Sequence, residues 1–208
     1  MKNRITTPVN KTVSTLTILV FAIISMFSIG CTPTPTPTPS CNTSNTIFHQ
    51  IYTNVATASG NTDIVTYDLN VHEYDFKVSA NKIICSVGYQ SQPAVAALPY
   101  KIEIIDNTTS TTLYNNSAVF SSTVTSYVSV PNITVVPGHN YTVRRTLVNY
   151  LGNVGNTIGR MAKSTSSPTI AFPNAVGALT ITASRFYQAG STPTTLNLGI
   201  PFIDIAFQ

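Results

Sequence analysis

Tryptophan is absent from this 208-residue chain, and charged residues make up only 9% of it. Three of the eleven basic residues (Lys2, Arg4 and Lys11) lie near the N-terminus, which leaves eight basic against seven acidic residues in the remainder. Proteins that bind the nucleic-acid backbone need clustered lysine and arginine side chains. The remainder has no such cluster, so we expect no nucleic-acid partner.

Sequence motifs for catalysis and metal binding are also missing. The three histidines, His49, His72 and His139, are isolated, and no C-x-x-C or H-x-H spacing occurs, although such spacings are typical of zinc sites. The G-x-S-x-G motif of a nucleophilic serine is absent as well. We therefore expect a protein that is not an enzyme and that has no cofactor, apart from the calcium ion considered below.

No apolar run reaches the ~20 residues that a membrane-spanning helix needs. The largely apolar stretch Leu16–Ile29 has 14 residues and follows a basic N-terminal segment. A basic segment, a short apolar region and small residues at its end are typical of a secretory signal peptide. We predict a signal peptide over residues 1–30, with an uncleaved N-terminal anchor helix as the alternative.

The four residues Ser28-Ile29-Gly30-Cys31 at the end of this segment resemble the lipobox of bacterial lipoproteins, including those of Bacteroidetes. In that family the chain is cut before the cysteine, which then carries a diacylglyceryl thioether and an acylated amine with chains such as palmitate. The resemblance implies that Cys31 is a lipidation site. It further implies a lipid anchor in the outer membrane of the cell envelope, with the face of that membrane left open, since several acyl chains hold a protein durably.

Four Thr-Pro repeats occupy Thr32–Pro39. Each proline fixes its own φ and pushes the residue before it towards extended geometry. The repeats should therefore form polyproline II at ~3.1 Å per residue, a spacer of roughly 25 Å. We interpret residues 31–46 as the lipidated cysteine with a linker, and residues 47–208 as a single folded domain.

Short alternating stretches rich in valine, isoleucine, threonine, tyrosine and phenylalanine follow from residue 47 onward, with no helical periodicity between them. They are separated by asparagine, glycine, proline and serine, as is typical of strands and turns. We expect an all-β domain, an antiparallel β-sandwich of which the jelly roll is one form. The predicted strands are Ile64–Leu69, Tyr74–Val78, Lys82–Tyr89, Tyr100–Asp106, Thr111–Tyr114, Ala118–Val124, Tyr127–Val130, Asn140–Val148, Ile158–Ala162, Leu179–Tyr187 and Ile200–Phe207.

Part of this domain resembles a known family. The runs YDFKVSANKIICSVGYQ, PYKIEIIDNTTSTTLYN and YVSVPNITVVPGHNYTVRR, within Tyr74–Arg145, resemble the domain of unknown function 4082 and related β-sandwich modules of bacterial surface proteins. The resemblance implies a sandwich fold at the bacterial cell surface or envelope. It implies no activity.

Two groups of residues are candidates for a structural bond or ion. Cys41 and Cys85 remain once Cys31 is assigned, and export to an oxidising compartment allows a disulfide between them; a buried thiol at Cys85 and a free one at Cys41 is the alternative. Four of the seven acidic residues fall within thirteen positions. Their oxygens could hold a structural calcium ion, or they are ordinary solvated charges. These residues are Asp63, Asp68, Glu73 and Asp75.

Two arginines stand at positions where strand alternation predicts a core face. Arg145 alternates with Tyr141, Val143 and Leu147, and Arg185 alternates with Ile181, Ala183 and Tyr187. An arginine on such a face either extends its charged end to solvent at the end of a strand or lies in a groove. We therefore consider the pairs Tyr187 with Arg185 and Tyr141 with Arg145 as candidate ligand-binding residues, with ordinary sandwich edges as the alternative.

These observations predict a non-enzymatic cell-envelope lipoprotein with an accessory, structural or interaction role. Its partners would be the membrane, through the lipid anchor, and a glycan or another envelope protein. The alternative is a surface carbohydrate-binding module of a glycan-acquisition or adhesion system, which the sandwich and its tyrosine-rich strands favour. A hydrolase is a third hypothesis, which would require a deep pocket that joins two carboxylates or a serine and a histidine.

Overall fold

The computed structural model describes residues 40–65, 69–148, 159–193 and 195–208. All of them belong to one compact unit of the chain, Pro39–Gln208. The predicted signal peptide over residues 1–30, the lipidation site Cys31 and the Thr-Pro repeats lie outside the described residues.

A helix, α1 (Ile47–Thr57), opens the domain, so the expectation of no helix after residue 47 was wrong. The side chain of Thr46 caps it by accepting a hydrogen bond from the His49 amide at 2.9 Å. Its buried face consists of Phe48, Ile51, Tyr52 and Val55. This helical spacing follows a capping residue, and the two features together are a sequence signal for the start of a helix. Among the described residues, no helix is long and apolar enough to cross a membrane.

The remainder of the domain is made of strands. In chain order they are β1 (Asn61–Val65), β2 (Val71–Val78), β3 (Lys82–Tyr89), β4 (Tyr100–Asp106), β5 (Thr111–Ala118), β6 (Ser126–Val135), β7 (Tyr141–Leu147), β8 (Arg160–Ser164), β9 (Asn174–Val176), β10 (Leu179–Tyr187), β11 (Thr195–Leu196), β12 (Gly199–Pro201) and β13 (Asp204–Phe207). A short 3₁₀ turn at Pro93–Val95 precedes β4.

The strands form three antiparallel sheets. The largest has the order β11-β10-β2-β7-β4-β5, with β9 added beside β10, and the two smaller ones have the orders β1-β8-β12 and β13-β3-β6. Buried apolar side chains from all three sheets and from α1 form one continuous core. The predicted all-β antiparallel sandwich is thereby confirmed.

Several predicted strands have other bounds in the structure, among them Ile64–Leu69 and Tyr127–Val130, and two further ones differ in kind. The stretch predicted as Ala118–Val124 is mostly a loop, because the Ser121 hydroxyl accepts hydrogen bonds from the Thr123 and Val124 amides at 3.2 and 3.4 Å and so competes with strand pairing. The stretch predicted as Ile200–Phe207 is split, and its two halves pair with β8 and β3 in different sheets.

A disulfide ties the start of the domain to the core. Cys41 and Cys85, considered as a pair above, are joined across a sequence separation of 44 residues. Cys85 lies on β3, the central strand of the sheet β13-β3-β6. The closed loop contains α1, β1 and β2, so the bond restricts a large part of the unfolded chain.

Removing this bond should lower the free energy of unfolding by about 2–4 kcal/mol, because closing a loop of this length reduces the entropy of the unfolded state. Urea unfolding of the oxidised protein and of the same protein after reduction measures the difference without a change of sequence. Equal unfolding midpoints with and without reductant would contradict the expected contribution.

Candidate functional site

Arg145 on β7 is the largest side chain that the described residues bury completely. Its guanidinium carbon lies 5.3 Å from the ring centroid of Tyr89 and 5.3 Å from that of Tyr100. Two aromatic rings at this distance attract a cation through their electron-rich faces. The two rings also contact each other, with centroids 4.7 Å apart, so the arginine packs against a pair of rings from β3 and β4.

Hydrogen bonds fix the guanidinium in this position. Nη1 donates to the Asn70 carbonyl oxygen at 3.2 Å, and Nη2 lies 2.5 Å from His72 Nδ1. Burial lowers the pKa of His72 well below its usual range and the nearby cation adds to this, while the Leu69 carbonyl opposes it. The imidazole is therefore neutral, and its Nδ1 accepts the hydrogen bond. Within the described residues Arg145 has no carboxylate partner.

Gly159 closes the space around this arginine. A Cβ atom built at Gly159 would lie 2.4 Å from Arg145 Nη2 and 2.8 Å from the Tyr89 hydroxyl oxygen, closer than non-bonded atoms approach. Glycine is therefore needed here for close packing, and on this side no space is left for a ligand. The guanidinium is enclosed, so it neither extends to solvent at the strand end nor lies in an open groove.

Tyr141 does not share a binding site with Arg145. It lies four residues earlier on β7, about 13 Å away at ~3.3 Å per residue, and its ring stacks on Phe76 with centroids 5.2 Å apart. Its exposed fraction is 1%. Both side chains belong to the core, so the structure does not support this pair as a ligand site.

Arg185 lies on the opposite face from the one that alternation predicted. A β-bulge between Ile181 and Ala183 shifts the pattern of β10 by one residue. Phe186 is consequently buried at 0% exposure, while Arg185 and Tyr187 point to the outer face, where Glu73 binds both. The predicted assignment of Arg185 to the core face was wrong, because a bulge cannot be read from a period-two pattern.

A row of alternating charges crosses this outer face, and we call it the charge ladder. It consists of Arg185, Glu73, Arg144 and Glu103, which face each other in register on β10, β2, β7 and β4. Arg144 Nε lies 2.5 Å from Glu73 Oε2, and Arg144 Nη1 lies 3.7 Å from Glu103. Opposite charges on neighbouring strands stabilise a sheet by about 0.2–1 kcal/mol per pair. The ladder thus binds four strands together.

The second candidate ligand pair consists of Arg185, which belongs to this ladder, and Tyr187, which binds to it. The Tyr187 hydroxyl donates to Glu73 at 2.9 Å, and Arg185 Nη1 donates to Asp75 at 2.7 Å. Tyr187 is 9% exposed, so little of its ring can receive a ligand. The polar atoms of this pair bind neighbouring side chains of the sheet.

The candidate calcium ligands are not brought together. Asp63 on β1 binds Arg160, whereas Glu73 and Asp75 on β2 bind the arginines of the outer face. Asp68 lies outside the described residues. The part of the chain that the structure describes holds no group of three acidic, histidine or cysteine side chains able to bind a metal ion.

A buried carboxylate that the sequence analysis missed connects α1 to the sheet β13-β3-β6. Asp204 on β13 is 0% exposed and accepts hydrogen bonds from Thr46 at 2.6 Å and from the Tyr127 hydroxyl at 2.7 Å. Burial raises the pKa of this carboxyl group, although both hydrogen bonds and the nearby His49 favour the charged form. The one sequence feature that could have indicated this buried carboxylate is a single acidic residue within the last apolar stretch of the sequence.

The chain matches no protein-family model and no curated protein. The resemblance of Tyr74–Arg145 to the domain of unknown function 4082 therefore stays a prediction.

Gly159→Ala should lower the free energy of unfolding by about 1–3 kcal/mol, because the added methyl group overlaps the packed Arg145. A double-mutant cycle with Arg145→Lys, measured by urea unfolding, tests the cause. The lysine has no second terminal nitrogen, so the cost of Gly159→Ala should be smaller in that background. Strictly additive losses would show that the glycine is needed for another reason.

Asp204→Asn should change how stability depends on pH. The pKa of Asp204 is raised in the folded state, so the wild type has its full stability below the unfolded-state pKa and loses part of it as pH rises through the folded-state pKa. The asparagine variant has no ionisable group at this position, so its free energy of unfolding does not fall with pH for this reason. Urea unfolding of both proteins from acid to neutral pH should show the wild type falling relative to the variant, whereas parallel curves would contradict the raised pKa.

Proposed function

We propose that this protein is a lipid-anchored protein of the bacterial cell envelope, with a structural, accessory or interaction role and no catalytic activity. The observation that carries the proposal is the Cys41–Cys85 disulfide. Disulfides persist mainly in exported proteins. The chain has three cysteines, so this bond leaves Cys31, the residue of the lipobox-like motif, as the remaining one.

The position of the disulfide also supports a tether at this end. Cys41 follows the last proline of the Thr-Pro repeats by two residues. Just after it, Thr46 binds the buried Asp204. The proposed spacer is therefore followed at once by Cys41, which is bonded to the central strand β3. Such an attachment suits a domain that is held at a distance from a membrane.

The state of the charged groups supports a non-catalytic role. A general acid or base must reach its substrate within hydrogen-bonding distance. Glu73 is 2% exposed and is bound by Arg144, Arg185 and Tyr187. Asp204 is enclosed by two hydroxyl groups. These carboxylates are engaged in holding the fold, which favours a binding or structural role.

A second candidate function is a surface carbohydrate-binding module. The observation that favours it is an open cleft beside α1 that carries the ion pair of Asp63 and Arg160. This function is compatible with the same lipid anchor, which would display the module in the envelope.

Cys31→Ala should abolish lipidation and release the protein from membranes. Metabolic labelling with an alkyne fatty acid, followed by membrane fractionation, should show a labelled, membrane-bound wild type and an unlabelled variant. Cys41→Ala is the matched control, since it also removes one cysteine but should remain labelled. Labelling of the Cys31→Ala protein, or an unlabelled wild type, would overturn the proposed anchor.

A further inference from the structure

An open cleft lies between one face of α1 and the edge of the sheet β1-β8-β12. Its volume is 240 Å³, and its walls carry His49, Tyr52, Thr53, Ala56 and Thr57 from the helix and Asp63 and Arg160 from the sheet. Four of these helical residues, His49, Thr53, Ala56 and Thr57, share one face at a spacing of three to four positions. The volume is slightly below the about 300–1,000 Å³ of typical small-ligand pockets, so the cleft suits a small unit.

An ion pair forms the polar wall of this cleft. Arg160 Nε lies 3.0 Å from Asp63 Oδ1, and Arg160 Nη2 lies 2.5 Å from Asp63 Oδ2. The Tyr52 hydroxyl donates to Asp63 Oδ1 at 2.8 Å. The carboxylate is therefore held from two sides, in a fork geometry that fixes both partners.

Aromatic rings support the arginine from below. The guanidinium carbon of Arg160 lies 4.8 Å from the ring centroid of Phe202 and 5.6 Å from that of Tyr52. The arginine side chain is nonetheless 30% exposed, and that of Asp63 is 34% exposed. In contrast to the enclosed Arg145, this pair is rigidly placed and open to solvent.

The charges and hydrogen-bonding groups of the cleft define the ligand that fits. The two charges cancel, so an ionic ligand would meet a repelling partner as well as an attracting one. An arginine has five N–H donors, and the contacts to Asp63 use only Nε and Nη2, with a further long one at 3.4 Å from Nη1 to Gln90. The Thr53 hydroxyl group can donate and accept, whereas the Thr57 hydroxyl donates to the Thr53 carbonyl oxygen at 2.8 Å and offers an acceptor. Groups fixed before binding lower the entropic cost of holding a ligand.

We propose that this cleft binds a neutral, hydroxyl-rich ligand, namely one sugar unit of an uncharged glycan. The adjacent hydroxyl groups of a sugar match the planar donors of Arg160, the hydroxyl group of Thr53 and the acceptor oxygen of Thr57. The site rests on the second candidate function, carbohydrate binding, and is independent of the lipid anchor. It differs from both tyrosine–arginine pairs suggested by the sequence.

Titrations of the detergent-solubilised mature protein, followed by two-dimensional amide NMR, test the proposal. The probes are D-glucose, D-galactose, D-mannose and N-acetyl-D-glucosamine, with D-glucuronic acid as a charged comparator. At least one neutral sugar should shift the amide signals of His49, Thr53 and Asp63. His49→Ala and Thr53→Val should each weaken its binding about five- to tenfold, as expected for the loss of one neutral hydrogen bond.

Asn54→Ala is the matched control, because Asn54 is exposed on α1 but does not line the cleft; it should bind like the wild type. Thermal unfolding establishes that each variant folds. Binding that both cleft variants leave unchanged would overturn this site while carbohydrate binding stands. Absence of binding by every neutral sugar, or binding of the charged comparator alone, would overturn the site and remove its support for the second function.

Discussion

The fold depends on how the first residues of the domain are tied to the sheet β13-β3-β6. Cys41 is bonded covalently to β3, and Thr46 hydrogen-bonds Asp204 on β13, which also accepts a hydrogen bond from Tyr127 on β6. All three strands of this sheet are therefore connected to the start of the domain. Because Thr46 also caps α1, the same network places the helix over the core. A mechanical force applied through the proposed spacer would act on β3 through the disulfide and would not be transmitted through α1.

Most charged groups of the large sheet are used to hold it together. Its outer face carries the charge ladder, while on its inner face Arg145 packs against Tyr100 of the same sheet and Tyr89 of β3. Burying a cation costs free energy unless other groups replace the lost water, and here aromatic faces, a carbonyl oxygen and a neutral imidazole do so. Asp63 differs from the ladder carboxylate Glu73, because its side chain is 34% exposed whereas that of Glu73 is 2% exposed. This contrast places the candidate ligand site beside α1 rather than on either face of the large sheet.

The sequence predicted local features better than those that depend on distant contacts. Lys82–Tyr89, Tyr100–Asp106 and Leu179–Tyr187 were predicted with the bounds that the structure shows, since alternation and flanking turns define them. The helix α1 was missed although its capping residue and apolar spacing were present. The face of Arg185 was wrong because of one bulge. Asp204 was missed because its partners lie 158 and 77 residues away in sequence, a distance over which periodicity carries no information.

We propose that the three cysteines have two different chemical fates, Cys31 as a lipid anchor and Cys41 with Cys85 as the disulfide of the folded domain. Intact-mass spectrometry of the protein purified from membranes measures both at once. We expect a chain that begins at Cys31, carries acyl groups, and gains the mass of two hydrogen atoms on reduction. A chain that retains Met1, an unmodified Cys31, or a mass that reduction does not change would contradict it.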